Sequence, residues 1–194
     1  MAEISSEFTR ALGSKLAQSE PLHRIARETA AVAFILRIDL GRGDEFLLIK
    51  RAERAGDPWS GQVAFPGGRV EPDDASFEAT ATRETREEVG FDLSADAEFL
   101  GYMVPFVPRN RRIQVVPTVF RLTSAVEVLP SQEVSSYRWI PVAELLSRKN
   151  RAEYATEGGS PATVPSFEFG DYVVWGLTER ILTGLLEITG VAPA

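Results

Sequence analysis

Apolar residues recur every four positions at Ile4, Phe8, Leu12 and Leu16, the spacing of one helix face, and predict a short amphipathic helix over residues 1–20. Ser5 and Ser6 are its candidate caps, and Pro21 stops it. Two apolar, β-rich runs, Ala30–Ile38 and Phe46–Lys50, flank the turn signal Gly41-Arg42-Gly43-Asp44 and predict a hairpin. The strand pattern resumes at Gln62–Phe65 and runs into Pro66-Gly67-Gly68. From Asp74 to Val89 nothing breaks a helix; Asp73 or Asp74 is the expected cap at its start and Gly90 the left-handed residue past its end. Glu98–Val107 and Ile113–Leu122 read as strands that Pro105, Pro108 and Pro117 confine to edges or irregular positions. Tyr137–Ile140 is a further short strand, followed by a helix that Pro141 opens and that runs through Leu146. The polar stretch 148–165, with Gly158-Gly159-Ser160-Pro161, reads as a mobile loop. A last amphipathic helix, Leu177–Ile188, packs through Leu177, Ile181, Leu182, Leu185, Leu186 and Ile188. Strands and helices without a regular alternation imply an α/β (α+β) fold, a mixed sheet flanked by helices.

Composition then narrows the chemistry. Of 194 residues 44% are apolar and 25% charged, ordinary globular proportions that suit one domain with a packed core. Cysteine is absent, which excludes disulfides, thiolate zinc sites and cysteine nucleophiles. His23, the only histidine, sits in a polar stretch near Pro21 and reads as a surface residue, so histidine triads and histidine metal sites have nothing to build on. The work falls to carboxylates, Arg, Lys, Tyr or backbone groups. A net charge of −7 argues against broad nucleic-acid binding. The start MAEISSEFTR lacks a basic segment leading into an apolar run, and the longest apolar stretch, Ala30–Leu36, is too short to cross a membrane. A soluble cytoplasmic protein with no membrane or nucleic-acid partner is expected.

The segment Arg83-Glu84-Thr85-Arg86-Glu87-Glu88-Val89-Gly90 concentrates negative charge. Helical geometry stacks Glu84 and Glu88 one turn apart with Glu87 beside them, while Ala75, Ala79, Thr82 and Val89 form an opposite face of small packing residues. Like charges at this spacing cost about 0.2–0.5 kcal/mol per pair, and only Arg83, four residues before Glu87, offers a local counterion. A solvated surface is one reading of such a face. A hard divalent cation is the other, because Mg2+ takes oxygen ligands from a few carboxylates, water and substrate phosphate. The double glycine ahead of the helix favours the cation, since it permits close backbone approach and offers a Gly carbonyl as a further ligand.

In combination, the Gly-Gly turn, a spacer and Arg83-Glu84-Thr85-Arg86-Glu87-Glu88-Val89-Gly90-Phe91 resemble the Nudix box, G-x5-E-x7-R-E-U-x-E-E-x-G-U with U apolar, with Gly68 as the opening glycine. Two positions depart from it. The spacer is one residue longer, so the family's first Glu falls on Ala75 counted back from Arg83 and on Asp74 counted forward from Gly68, and Thr85 fills an aliphatic slot. Asp74 is the candidate substitute. The string Gly61-Gln62-Val63-Ala64-Phe65-Pro66-Gly67-Gly68-Arg69, the longer spacer, Val116-Pro117-Thr118-Val119 and Trp175-Gly176-Leu177-Thr178 are similar to the coenzyme A pyrophosphatase group of that family. That group carries a more basic, His-containing stretch where this chain has Arg54-Ala55-Gly56-Asp57-Pro58-Trp59-Ser60.

The resemblance implies a Nudix-like α/β/α sandwich over residues 29–194 behind an N-terminal helical extension, residues 1–28. It also implies a pyrophosphohydrolase in which Glu84, Glu87, Glu88 and the Gly68 carbonyl bind Mg2+ or Mn2+ and Arg83 orients Glu87. The general base is one glutamate of this set, or Glu133 reaching in from a loop. For substrate phosphates the candidates are Arg51, Arg54 and the cluster Arg109-Asn110-Arg111-Arg112, whose guanidinium groups match phosphate geometry. Trp59 is the candidate to stack on a base. Coenzyme A or a derivative is the first substrate implied, with ADP-ribose, nucleoside diphosphate sugars and nucleoside triphosphates as alternatives. A module that binds nucleotide without hydrolysis is a further alternative, and a homodimer is compatible with the family.

Overall fold

Strand β1 (Thr29–Asp39) alternates Phe34 and Leu36 to one side with Ala33 and Ile35 to the other in a computed structural model that describes residues 2–16, 28–39, 43–57, 59–108, 113–147, 149–155 and 161–190. β2 (Gly43–Arg51) does the same, with Phe46 and Leu48 opposite Leu47 and Ile49. All eight side chains are fully buried, so the sheet is covered on both faces. The hairpin between β1 and β2 is antiparallel, with Asp39 opposite Gly43, as the turn signal predicts. Beyond it come β3 (Val63–Ala64), β4 (Gly67–Arg69), α2 (Phe77–Val89), α3 (Leu93–Asp96), β5 (Ala97–Tyr102), β6 (Gln114–Leu122) and β7 (Val134–Pro141). These seven strands form one mixed sheet in which β1 and β6 are parallel and the other pairs antiparallel. Helix α1 (Ala2–Leu16) precedes the sheet. After it follow α4 (Val142–Ser147), a three-stranded sheet of β8 (Lys149–Ala155), β9 (Pro161–Phe169) and β10 (Tyr172–Trp175), and α5 (Gly176–Thr189).

One face of the main sheet packs on α1, α4, α5 and the small sheet through Phe8, Leu12, Phe34, Phe46, Phe167 and Leu182. The other packs on α2 and α3 through smaller side chains, Ala31, Ala33 and Ala81, with Phe77, Phe91 and Phe120 around them. Small residues let α2 come close to the sheet, which is what brings its polar groups to the strands.

Several expectations need correction. Ser5 and Ser6 lie inside α1, which begins at Ala2. Ser76, not Asp73 or Asp74, caps α2 by accepting from the Ala79 N–H at 3.0 Å, because the Asp74 carboxylate is taken up elsewhere. Gly90 closes that helix in the left-handed conformation, as expected. The core face of α2 is Phe77, Thr80, Ala81, Thr85, Glu88 and Val89, while Ala75 is exposed and Ala79 and Thr82 are half-buried. Pro117 sits in β6, an interior strand: its carbonyl accepts from Met103 N–H, so its own nitrogen faces β5 just past the last paired residues, Tyr102 and Thr118, where no ladder donor is required. The stretch 148–165 contains β8 and the first half of β9, an antiparallel hairpin from Lys149↔Phe167 to Ala155↔Pro161, with Pro161 at the strand's first position where its missing N–H is tolerated. Gly158, Gly159 and Ser160 lie outside the described residues.

Candidate active site

β1 and β2 part company after Leu36↔Phe46, and the chain from Val63 to Arg69 fills the opening, with β3 on Ile49 and Lys50 and β4 on Ala30–Val32. Glycines are required there. Gly67 has φ +154°, and a Cβ on it would stand 2.6 Å from the Val32 Cα. A Cβ on Gly68 would stand 2.5 Å from the Glu84 carboxyl carbon. The Gly67 N–H donates to Glu88 Oε2 at 2.9 Å, so the double glycine lets backbone and the two helix carboxylates meet.

Glu88 is buried, 3% exposed. Burial pushes its carboxyl up to about 7; the Gly67 N–H and the Arg51 charge oppose the shift, and Glu84 and Glu133 reinforce it. Burial also raises the Glu84 carboxyl, against a hydrogen bond from Arg83 at 2.8 Å. Glu87 points outward, with its side chain 55% exposed, and accepts from Arg83 Nη1 at 3.3 Å.

Arg83 gathers this end of the site. Its Nη2 donates to the Arg69 carbonyl at 2.9 Å and to Asp74 Oδ2 at 3.0 Å, and its Nε donates to Asp74 Oδ1 at 3.2 Å. Asp74 accepts further bonds from the Glu71 N–H and the Thr80 hydroxyl, both at 2.8 Å. Burial works against its charge, yet these donors hold its carboxyl down at about 2. Through Asp74, Arg83 therefore ties the loop ahead of α2 to Glu84 and Glu87.

On the other side Arg51, at the end of β2, reaches Glu88 Oε1 at 3.6 Å and Asp57 Oδ2 at 3.2 Å, and its buried Nε has no hydrogen-bond partner among the described residues. Arg54 pairs with Glu133 at 3.0 Å, and Glu133 accepts the Ala52 N–H through its carbonyl. Glu133, far from Arg51 and Arg54 in sequence, thus joins them near Glu88 at the C-terminal end of α2. Trp59 is half-buried in the turn after Asp57, whose carboxylate takes the Trp59 N–H at 2.9 Å. His23 and the cluster Arg109, Asn110, Arg111 and Arg112 lie outside the described residues. Two contributors went unread in the sequence: Asp57, which holds Arg51, and Thr80, which holds Asp74. A carboxylate six residues after an arginine, in a turn before Pro58, is the one signal for the first.

Among the described residues no three carboxylates already converge as a closed set of metal ligands, since Arg83 holds Glu84 and Glu87. The donor set nevertheless suits a hard cation. Its donors are all oxygens, two of its carboxylates are raised by burial and by the charge of neighbouring glutamates, and the glycine cradle opposite Glu84 leaves room that a Cβ would fill.

Such a loop-helix, one arginine and three glutamates of which Glu84 and Glu88 are seated against a glycine pair, belongs to a known class. The NUDIX domain family model matches residues 27–157, and the chain belongs to the Nudix hydrolase family, whose members cleave phosphorus anhydrides with divalent metal ions. The mitochondrial coenzyme A diphosphatase of Mus musculus is 31% identical over 171 residues, 85% of this chain and 80% of that protein. The Nudix hydrolase NudL of Salmonella newport is 36% identical over 137 residues, 69% of this chain and 70% of its own. A MutT/nudix family protein from Enterococcus faecalis superposes with a TM-score of 0.53 at 17% identity, over 96% of this chain and 73% of that one, a likeness of fold. The α/β/α arrangement read from the sequence is the one observed. Among the described residues no helix is long and apolar enough to cross a membrane.

Proposed function

We propose that the chain hydrolyses the diphosphate linkage of coenzyme A or a coenzyme A derivative. The observation that carries this reading is the meeting of Glu84 and Glu88 with Gly67 and Gly68, together with 31% identity to a coenzyme A diphosphatase along most of both chains. Glu84, Glu87, Glu88 and the Gly68 carbonyl hold Mg2+ or Mn2+. When bound, such ions polarise phosphate oxygens, lower the pKa of water and offset charge on the leaving group. Arg83, fixed by Asp74, keeps Glu84 and Glu87 in place, and one glutamate of the set accepts the proton of the attacking water.

Arg51 and Arg54 face substrate phosphates, where planar guanidinium groups match two oxygens at once. Arg109, Arg111 and Arg112 extend that contact, and Trp59 offers a ring for stacking. Residues 29–194 constitute the catalytic domain and residues 1–28 its helical extension, and the protein works in the cytoplasm. A panel of coenzyme A, ADP-ribose, nucleoside diphosphate sugars and nucleoside triphosphates, incubated with Mg2+ or Mn2+ and resolved by chromatography, tests the substrate. Preferential release of 4′-phosphopantetheine from coenzyme A is expected; faster turnover of a sugar nucleotide or triphosphate overturns the assignment. Tight nucleotide binding with no turnover of any of them would make the chain a sensor.

A further inference from the structure

Along β2, the positions facing α5 and the small sheet are Phe46 and Leu48, both fully buried, and then Lys50. Lys50 stands opposite Val63 of that same core face, whereas Arg51, just past a break in the β2–β7 register, reaches Glu88 on the α2 side. The core face of the strand therefore ends in an ammonium group, held on a rigid element beside the catalytic end of the sheet. Lys50 lines a pocket of about 390 Å3 whose walls are the turn before β3, with Gln62, and Asp171 in the turn ahead of β10 with Val173 and Trp175 on that strand. The Asp171 carboxylate is already engaged by Arg138 from β7, whereas Lys50 makes no ion pair with any described carboxylate. The β10 wall lies outside the stretch, residues 27–157, that the family model matches.

We infer that this pocket binds the nucleoside end of the substrate, with the base against Trp175 and a phosphate group additional to the scissile diphosphate on Lys50. The argument rests on the coenzyme A reading above. Arg51 and Arg54 already serve the diphosphate on the α2 side, so a second cation, on the other face of the sheet and next to an indole, matches a second anion on a planar ligand. A phosphate monoester on the ribose meets both requirements, since a lysine ammonium binds phosphate as a point charge and an indole stacks on any base. The pocket thus determines specificity, and Lys50 and Trp175 are its binding residues.

Calorimetry with adenosine 3′,5′-bisphosphate and adenosine 5′-monophosphate tests this without requiring turnover. The wild-type chain is expected to bind the bisphosphate about 10-fold more tightly. Lys50→Gln, which keeps most of the side-chain stem, should reduce the bisphosphate to the affinity of the monophosphate, and Trp175→Leu should weaken both ligands. Equal affinities in the wild type, or a preference that survives Lys50→Gln, would overturn the inference. A preference that vanishes with Lys50→Gln in a protein that leaves coenzyme A intact would support the pocket and defeat the substrate assignment instead.

Discussion

Asp74 and Glu88 stand at either end of α2, both carboxylates nearly buried, and they differ by about five pH units in acidity. Asp74 collects four donors, two from Arg83 and one each from the Glu71 backbone and Thr80, and is held down at about 2. Glu88 has one backbone N–H and a distant arginine, and is pushed up to about 7. Depth of burial and number of donors together decide the state of a carboxylate: Glu88 is the more deeply buried of the two and has the fewer donors. One end of the helix is a finished polar knot that fixes geometry. The other is an under-satisfied acid facing Glu84, which suits an added cation.

Changes at the open end should have the largest effect. Glu88→Gln is expected to lower metal-dependent turnover by at least about 100-fold, the scale of losing one preorganised electrostatic contact, while the variant melts no lower than wild type without metal. Steady-state rates and thermal denaturation measured side by side check both halves of that statement.

The two carboxylates also predict opposite pH responses of stability in the metal-free protein. The Glu88 value is raised in the folded state, so its contribution is complete below pH 4.5 and is lost as pH rises through 7, a change on the order of 3 kcal/mol. The Asp74 value is depressed, so its contribution is present above pH 3.8 and is lost as pH falls towards 2, on the order of 2 kcal/mol. Urea denaturation across this range should show the alkaline decline flattened in Glu88→Gln and intact in Asp74→Asn. An unchanged alkaline decline in Glu88→Gln would assign it to another group.

Asp74→Asn cuts the knot itself. Leaving Arg83 without its buried carboxylate should cost about 2–3 kcal/mol and reduce turnover through displaced Glu84 and Glu87, read as a fall in kcat more than a rise in KM. The smallest effect belongs to Thr85, whose buried hydroxyl has no hydrogen-bond partner among the described residues. Thr85→Val should stabilise the protein by up to about 1 kcal/mol with activity unchanged, checked by urea titration.

Much of this was legible from local pattern. The hairpin of β1 and β2, the helices α1 and α5, and the left-handed end of α2 at Gly90 follow from periodicity and turn chemistry, which act over a few residues. The charged triplet Glu84, Glu87 and Glu88 was legible as a candidate cation site, but not that Glu88 turns inward; that depends on the gap between β1 and β2, which brings the Gly67 N–H to it. Asp74 reads as a helix cap until Arg83 and Thr80 are seen to occupy its oxygens, leaving the cap to Ser76. The β8–β9 hairpin was illegible because its strands are polar and bracketed by Gly and Pro, and its pairing with β10 is what makes them a sheet. Pro117 misled for a similar reason, since only the register of β5 reveals that no donor is needed there.

The central claim is that the carboxylates of α2, gathered against Gly67 and Gly68, hold the divalent cation. Electron paramagnetic resonance of Mn2+ titrated into the wild-type protein and into Glu84→Gln and Glu88→Gln addresses it directly. The account predicts saturable binding by the wild type, weakened about 10-fold or more in each variant. Wild-type affinity in both variants would contradict it.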